Sequence, residues 1–173
     1  MNNIKLHSDD NVELAFPDIL GQLESLDMVV GIEDKHKEIC CFSLPMNLKK
    51  LTLRESIGKL PKLEVLKLVN VSLMECTWRM EEEEFNKLKI LELNSYGLRF
   101  WSASDDQFEC LEKLELQACK KLEEMPSCLE SISMLQMIGA VSCSETVNEL
   151  VKKIGQVQVD NGNSDLKINI QRY

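Results

Sequence analysis

The chain lacks the signals that mark secreted, membrane-spanning and metal-stabilised proteins. Its first residues, MNNIKLHSDD, have neither a basic nor an apolar stretch, so no signal peptide is expected there. No apolar run approaches the roughly 20 residues that a membrane span needs. Seven cysteines occur without any C-x-x-C pair, which argues against both a disulfide framework and a zinc site. We therefore expect a cytoplasmic protein in a reducing environment, with no transmembrane segment and no metal.

Catalytic signatures are also missing. The sequence contains no G-x-S-x-G, no H-E-x-x-H and no P-loop, and His7 and His36 are not spaced as metal ligands. The net charge of −9 argues against a nucleic-acid backbone as partner. We expect a protein that is not an enzyme and needs no cofactor.

A leucine pattern is what the sequence does contain. The stretch CLEKLELQACKKLEEMP, residues 110–126, places apolar residues at the mixed spacing LxxLxLxx(N/C)xxL. This spacing is typical of a leucine-rich repeat, in which a short strand turns into a return leg. One such unit is apolar on one side only, so copies must stack to bury it. The predicted fold is α/β: a leucine-rich repeat solenoid, or horseshoe, with a parallel β-sheet on its concave face and irregular or short helical return legs.

Seven copies of the pattern follow one another. Their first positions are Met1, Leu23, Leu48, Leu63, Leu88, Leu111 and Leu135. The intervals are 22, 25, 15, 25, 23 and 24 residues, and the third is too short for a full return leg. We interpret the region near 54–60 as a shortened repeat. Cys119 and Cys143 occupy the Asn/Cys position of the last two repeats, where a structural role is expected.

The return legs carry a second repeat. Trp78 and Trp101 each precede a phenylalanine by seven residues, so WRMEEEEF and WSASDDQF are predicted to be equivalent. Packing of both tryptophans is favoured over stacking on a ligand. We expect a helical turn capped by residues 104–106. We interpret the acidic run at residues 81–84 as a solvated surface. The alternative is a contact surface for a basic partner.

The period changes after Cys143. Val147, Leu150, Val151 and Ile154 predict an amphipathic helix with Ser144 as its N-cap. A turn at 160–163 and a final strand at 166–170 follow. We therefore predict repeats over 1–143 and a capping helix and strand over 144–173. Because the chain begins inside a repeat motif, we expect the tail of a longer array or a truncated product.

The residues between the strand leucines are the candidate binding residues. They are expected in rows along the concave face, with Lys50 between Ser25 and Val65, and with Lys67 beside Glu92. An exposed apolar patch is expected at Val65, Val69 and Ile90. Such a patch indicates either a contact with a partner or only the ordinary preference of these residue types for strands. The full candidate set is Lys50, Thr52, Arg54, Val65, Lys67, Val69, Ile90, Glu92, Asn94, Lys113, Glu115 and Gln117.

Longer motifs carry a family resemblance. The return leg LEEMPSCLESI, residues 122–132, resembles that of plant intracellular immune receptors. The combination of IGKLPKLEVLKL, WSASDDQFECLEKL and the terminal NGNSDLKI is similar to the C-terminal leucine-rich repeats of the late blight resistance protein family. Those proteins are nucleotide-binding receptors with a coiled-coil N-terminal region. Neither of these two modules is present in this sequence.

The resemblance implies a protein-binding role in plant disease resistance. The expected partners are a pathogen effector or a guarded host protein, and the receptor's own nucleotide-binding module, which the repeats would hold inactive. The alternative is a leucine-rich repeat adaptor, such as the substrate receptor of a ubiquitin ligase, which would need an F-box-like helical segment that this sequence does not contain.

Overall fold

Seven parallel strands form the main sheet of the protein. The structure, a computed structural model, describes residues 3–7, 25–29, 62–69, 76–79, 85–105 and 107–172. In spatial order the strands are β1 (Asn3–His7), β2 (Ser25–Val29), β3 (Val65–Val69), β5 (Ile90–Asn94), β7 (Lys113–Gln117), β8 (Met137–Val141) and β9 (Lys167–Gln171). Parallel strands together with an α-helix confirm the predicted α/β class. The arrangement is compatible with a leucine-rich repeat architecture.

The strand leucines lie in register across the sheet. Leu66 pairs with Leu91, Leu91 with Leu114, and Leu114 with Ile138. Strands β5 and β7 alternate between half-buried and buried residues, as expected when successive side chains point to opposite faces. The predicted leucine positions are therefore confirmed from β3 to β8 as one buried face of the sheet. Leu111, Cys119 and Leu122 enter the same core from outside the strand.

One expected strand position is wrong. The structure pairs β2 directly with β3, with Ser25 opposite Val65, so residue 50 does not lie between them in the row. Hydrogen-bonded strands are less than 5 Å apart and leave no room for an intervening strand. A 15-residue interval is also short for one complete repeat. Lys50, Thr52 and Arg54 lie outside the described residues, as does the acidic run 81–84.

The return legs contain strands, which the sequence did not predict. Strands β4 (Cys76–Arg79) and β6 (Leu98–Ser102) pair in parallel as a second sheet, with Trp78 opposite Trp101. A bridge from Phe100 to Glu124 extends this pairing toward the next repeat. The last return leg contains a short 3₁₀ helix, Ser127–Glu130, in agreement with the short helical legs expected.

Stacked aromatic rings fill the space between the two sheets. The ring centroids of Trp78 and Trp101 are 5.4 Å apart, and those of Phe85 and Phe108 are 5.8 Å apart. All four side chains are buried, which confirms that both tryptophans pack in the core and that the two return legs are equivalent.

The helical turn expected at residues 104–106 is not found in the described part of this leg. Residues 104 and 105 lie in an irregular segment and a turn, and residue 106 lies outside the described residues. The Gln107 side-chain oxygen accepts a hydrogen bond from Ser104 N at 2.9 Å. Gln107 N donates back to Ser104 O, so the two residues close a tight turn instead of starting a helix.

Helix α1 (Glu145–Asp160) connects β8 to β9. Ser144 is its N-cap and accepts a hydrogen bond from Val147 N, as predicted. Val147, Val151 and Ile154 are buried, whereas Leu150 is only half-buried. The buried face of the helix also includes the polar residues Asn148 and Gln158. Gly162, with φ of +97°, forms the turn after the helix. Strand β9 begins one residue later than expected, and its Ile168 is 42% exposed at the edge of the sheet.

Candidate functional site

The candidate binding residues that the structure describes lie in three neighbouring strands. Strand β3 holds Val65, Lys67 and Val69, β5 holds Ile90, Glu92 and Asn94, and β7 holds Lys113, Glu115 and Gln117. These positions alternate with the buried leucines, so they belong to the opposite face of the sheet. We call it the open face. The three candidates at 50, 52 and 54 cannot be placed on it.

A connected set of polar side chains crosses the open face, and we call it the polar ladder: Lys67, Glu92, Asn94, Lys113, Glu115 and Gln117. The Lys67 Nζ lies 2.9 Å from one Glu92 carboxylate oxygen, which confirms the predicted pair. Lys113 Nζ lies 3.4 Å from the other Glu92 oxygen and 2.7 Å from a Glu115 oxygen. Two lysines and two glutamates therefore alternate in contact, and their charges balance.

The amide side chains extend the polar ladder. Gln117 Nε2 donates to Glu115 at 3.1 Å, and Asn94 Nδ2 donates to the Gln117 oxygen at 3.4 Å. The Asn94 side-chain oxygen is buried and accepts no hydrogen bond from the described part of the chain. A buried acceptor without a donor is energetically costly.

Contacts within the ladder stabilise the charged forms of Glu115 and Lys113. A hydrogen bond from Lys113, and a further one from Gln117, lower the pKa of Glu115, and partial burial opposes them. The hydrogen bond to Glu115 raises the pKa of Lys113, with added attraction from Glu92. Each of these two side chains thus favours the charged form of the other.

The expected exposed apolar patch needs correction. Val65 and Ile90 pair in register on the open face, but both side chains are half-buried. Their neighbours on adjacent strands, less than 5 Å away, cover part of each side chain. They form an apolar margin beside the polar ladder, and the side chain of Val69 is not described.

The ladder ends at β8. This strand presents Met137, Gly139 and Val141 opposite Lys113, Glu115 and Gln117. A Cβ at Gly139 would lie 3.4 Å from Glu115 Cγ, which is ordinary van der Waals contact. The open face is therefore polar over β5 and β7 and mainly apolar at β8.

All six ladder residues are among the candidates named from the sequence, but only one of the contacts between them was predicted. Sequence reasoning identified the contact of Lys67 with Glu92, because two opposite charges occupy equivalent positions in adjacent repeats. The contact of Lys113 with Glu115 joins positions i and i+2 of one strand, a spacing that also places side chains on one face. The pair of Arg99 and Glu123, at 2.7 Å on the return-leg side, follows the equivalent-position rule and was also missed.

The polar ladder suits non-covalent recognition. It offers donors, acceptors and paired charges over three strands, which a partner with complementary charges can contact. Among the residues that the structure describes, no group of three or more His, Cys, Asp or Glu side chains could hold a metal ion. No helix in that part of the chain is long and apolar enough to cross a membrane.

Parallel strands in register, with one leucine face and one polar face, define an α/β protein with a repeated strand unit. No family model matches the chain. It is 36% identical over 136 residues to late blight resistance protein R1-A of Solanum demissum, covering 78% of the chain and 10% of that relative. Two Solanum demissum late blight resistance protein homologues, R1B-13 and R1B-23, are 37% identical over 142 residues and 38% identical over 140 residues.

Over this aligned segment, the chain belongs to the late blight resistance protein family, which confirms the resemblance seen in the sequence. The alignments cover 75% and 74% of the chain for R1B-13 and R1B-23, but 12% and 11% of those relatives. The chain thus spans a small part of the length of the relatives it matches. Their names associate the family with disease resistance.

Proposed function

We propose that the chain is a leucine-rich repeat solenoid that recognises proteins as part of plant disease resistance. In this proposal residues 1–143 are the repeats, residues 144–173 cap them, and the open face is the concave face of a horseshoe. The chain acts in the cytoplasm by binding alone, without catalysis and without a cofactor. The single observation that carries the proposal is the charge-balanced polar ladder on the face opposite the leucines.

The proposed partners are those that the family resemblance implies. One is a pathogen effector or a guarded host protein. The other is the nucleotide-binding module of a receptor, which the repeats hold inactive until a partner displaces them. The proposed contact residues are Lys50, Thr52, Arg54, Val65, Lys67, Val69, Ile90, Glu92, Asn94, Lys113, Glu115 and Gln117.

The ladder supports this proposal through its geometry. Its side chains are paired with one another, so they lose less conformational freedom on binding than free surface side chains would. A partner with complementary charges exchanges these contacts for intermolecular ones, and a mismatched partner leaves charges unpaired. Specificity would thus depend on which charge occupies each ladder position.

A charge reversal tests the proposal. The double variant Glu92→Lys/Glu115→Lys replaces both anions of the ladder, while Glu109→Lys/Glu149→Lys makes the same change in net charge at exposed residues elsewhere. Each variant is co-expressed with the nucleotide-binding module of R1-A, and association is measured by co-purification. We expect the ladder variant to lose association and the control to retain it.

Equal association of the two variants would contradict the assignment of the open face. Absence of association by the unaltered chain would contradict the proposed hold on the nucleotide-binding module. Circular dichroism melting of both variants shows whether each is folded.

A further inference from the structure

Two cysteines lie at equivalent positions of adjacent strands, away from the open face. Cys119 follows β7 and Cys143 follows β8 by the same two residues. The residue before each one has a positive φ, 52° at Ala118 and 53° at Ser142, so the two backbones bend alike. Ala118 N donates to Val141 O, which keeps the two bends side by side.

The backbone spacing of this pair is compatible with a disulfide. Adjacent parallel strands are about 4.8 Å apart, inside the Cα separation of roughly 4.4–6.8 Å that a disulfide spans. Each sulfur lies near the backbone carbonyl two residues earlier, at 3.4 Å for Cys119 and 3.5 Å for Cys143. The two side chains therefore leave the backbone in the same direction. Both are free thiols in this structure.

The environments of the two thiols differ. Cys119 is fully buried, and the neighbouring Cys143 side chain, together with burial, raises the pKa of Cys119. The neighbouring Cys119 side chain lowers the pKa of Cys143, and the Lys120 ammonium adds to the effect against partial burial. Cys143 also directly precedes the N-cap of helix α1, where the helix dipole favours negative charge. Cys143 is the more reactive thiol of the pair.

A route to solvent lies beside Cys143. A pocket of about 370 Å³ is lined by Lys120, Ser144 and Thr146, among others, and the first two are chain neighbours of the two cysteines. Cys143 itself does not line the pocket but is only half-buried, so part of this residue is exposed to solvent. Lys120 keeps this opening positive, which stabilises a thiolate.

We propose that Cys119 and Cys143 form a dithiol that a peroxide oxidises to a disulfide, with Cys143 as the attacking and Cys119 as the resolving residue. The Cys143 thiolate attacks a peroxide oxygen; an S–O bond forms, the O–O bond breaks and, with hydrogen peroxide, the leaving hydroxide takes up a proton. The Cys119 sulfur then attacks the Cys143 sulfenic acid. The S–S bond forms, and the sulfenic oxygen leaves as water with the Cys119 proton. Two thiols lose two electrons, and the peroxide gains them.

The bond would join β7 to β8 and close a loop of roughly 25 residues. Such a crosslink restricts the unfolded chain and ties the last strands to the rest of the sheet. The oxidised protein should therefore melt about 5 °C above the reduced protein.

Peptide mapping after peroxide treatment tests the proposal. The purified chain is treated with hydrogen peroxide, alkylated and digested with trypsin. We expect a crosslink between the peptides that contain Cys119 and Cys143, reversible by dithiothreitol. Cys110→Ser removes a half-buried cysteine outside the pair and should keep the crosslink, whereas Cys119→Ser and Cys143→Ser should abolish it.

A sulfenic-acid probe separates the two roles. In Cys119→Ser the probe should label Cys143, because the resolving thiol is gone. In Cys143→Ser it should leave Cys119 unlabelled. Labelling of Cys119 in that variant, or failure of the crosslink to form in the folded unaltered chain, would overturn the proposal.

Discussion

The two faces of strand β5 show how this protein separates stability from recognition. Leu91 points to one face and is fully buried, while its neighbour Ile90 points to the other and is half-buried. The leucine face is the same chemical type in strands β3, β5 and β7 of the main sheet. The open face changes from residue to residue: apolar, acidic, basic and amide. Packing thus restricts one face, and the other can vary without loss of the fold.

The largest expected effect is on the leucine face. Leu91→Ala removes a buried side chain between Leu66 and Leu114, and should lower the free energy of unfolding by about 2–5 kcal/mol. Ile90→Ala is the matched variant on the open face, and should cost less than about 1.5 kcal/mol, because that site is half-buried. Urea denaturation of both measures the difference. Equal losses would remove the distinction between the faces.

Replacement of a buried polar residue should lower the free energy of unfolding less than replacement of a buried leucine. Gln158 Nε2 donates to Leu129 O at 2.7 Å and to Ile132 O at 3.1 Å. Gln158→Leu keeps the side-chain size but leaves these carbonyls without their donor, so a loss of about 1–3 kcal/mol is expected. Gln156→Leu, on the exposed side of helix α1, is the control and should change stability little. Thermal melting of both variants checks this.

On the open face the effects should be small and dependent on pH. Glu115→Gln removes the ion pair with Lys113, and should lower the free energy of unfolding by roughly 0.5–1 kcal/mol at pH 7. The folded-state pKa of Glu115 is below its ordinary value of 4.5, so its contribution is complete above that pH and is lost as the pH falls through the folded-state pKa. Denaturation from pH 7 to pH 3 should show the two proteins converging. A constant gap would contradict the ion-pair explanation.

The last expected effect is of similar size but is a gain in stability. A Cβ at Gly139 makes only ordinary contacts, the nearest at 3.4 Å, and no positive φ requires glycine there. Gly139→Ala should therefore raise the free energy of unfolding by about 0.5–1 kcal/mol. A loss of stability, measured in urea, would mean that Glu115 cannot move by the small distance required.

The features that sequence reasoning predicted are those that repeat. The leucine positions, the N-cap at Ser144 and the contact of Lys67 with Glu92 follow from period, capping chemistry and equivalent positions. The direct pairing of β2 with β3 did not follow, because counting motifs assumes that every motif adds a strand to the sheet.

Local environment explains the remaining differences. The return legs became strands because Trp78 and Trp101 stack across adjacent repeats, a contact between distant parts of the chain. The half-burial of Val65 and Ile90 depends on neighbouring strands and not on residue type. Gln158 lies on the buried face of helix α1 because backbone carbonyls there accept its hydrogen bonds, which a search for apolar periodicity overlooks.

Carboxyl footprinting of the chain bound to the nucleotide-binding module of R1-A tests the central claim most directly. Carbodiimide labelling, read by mass spectrometry, reports the accessibility of each glutamate side chain. The open-face proposal predicts that Glu92 and Glu115 lose labelling in the complex, while the exposed Glu109 and Glu149 keep theirs. Unchanged labelling of Glu92 and Glu115 in a formed complex would contradict recognition through the polar ladder.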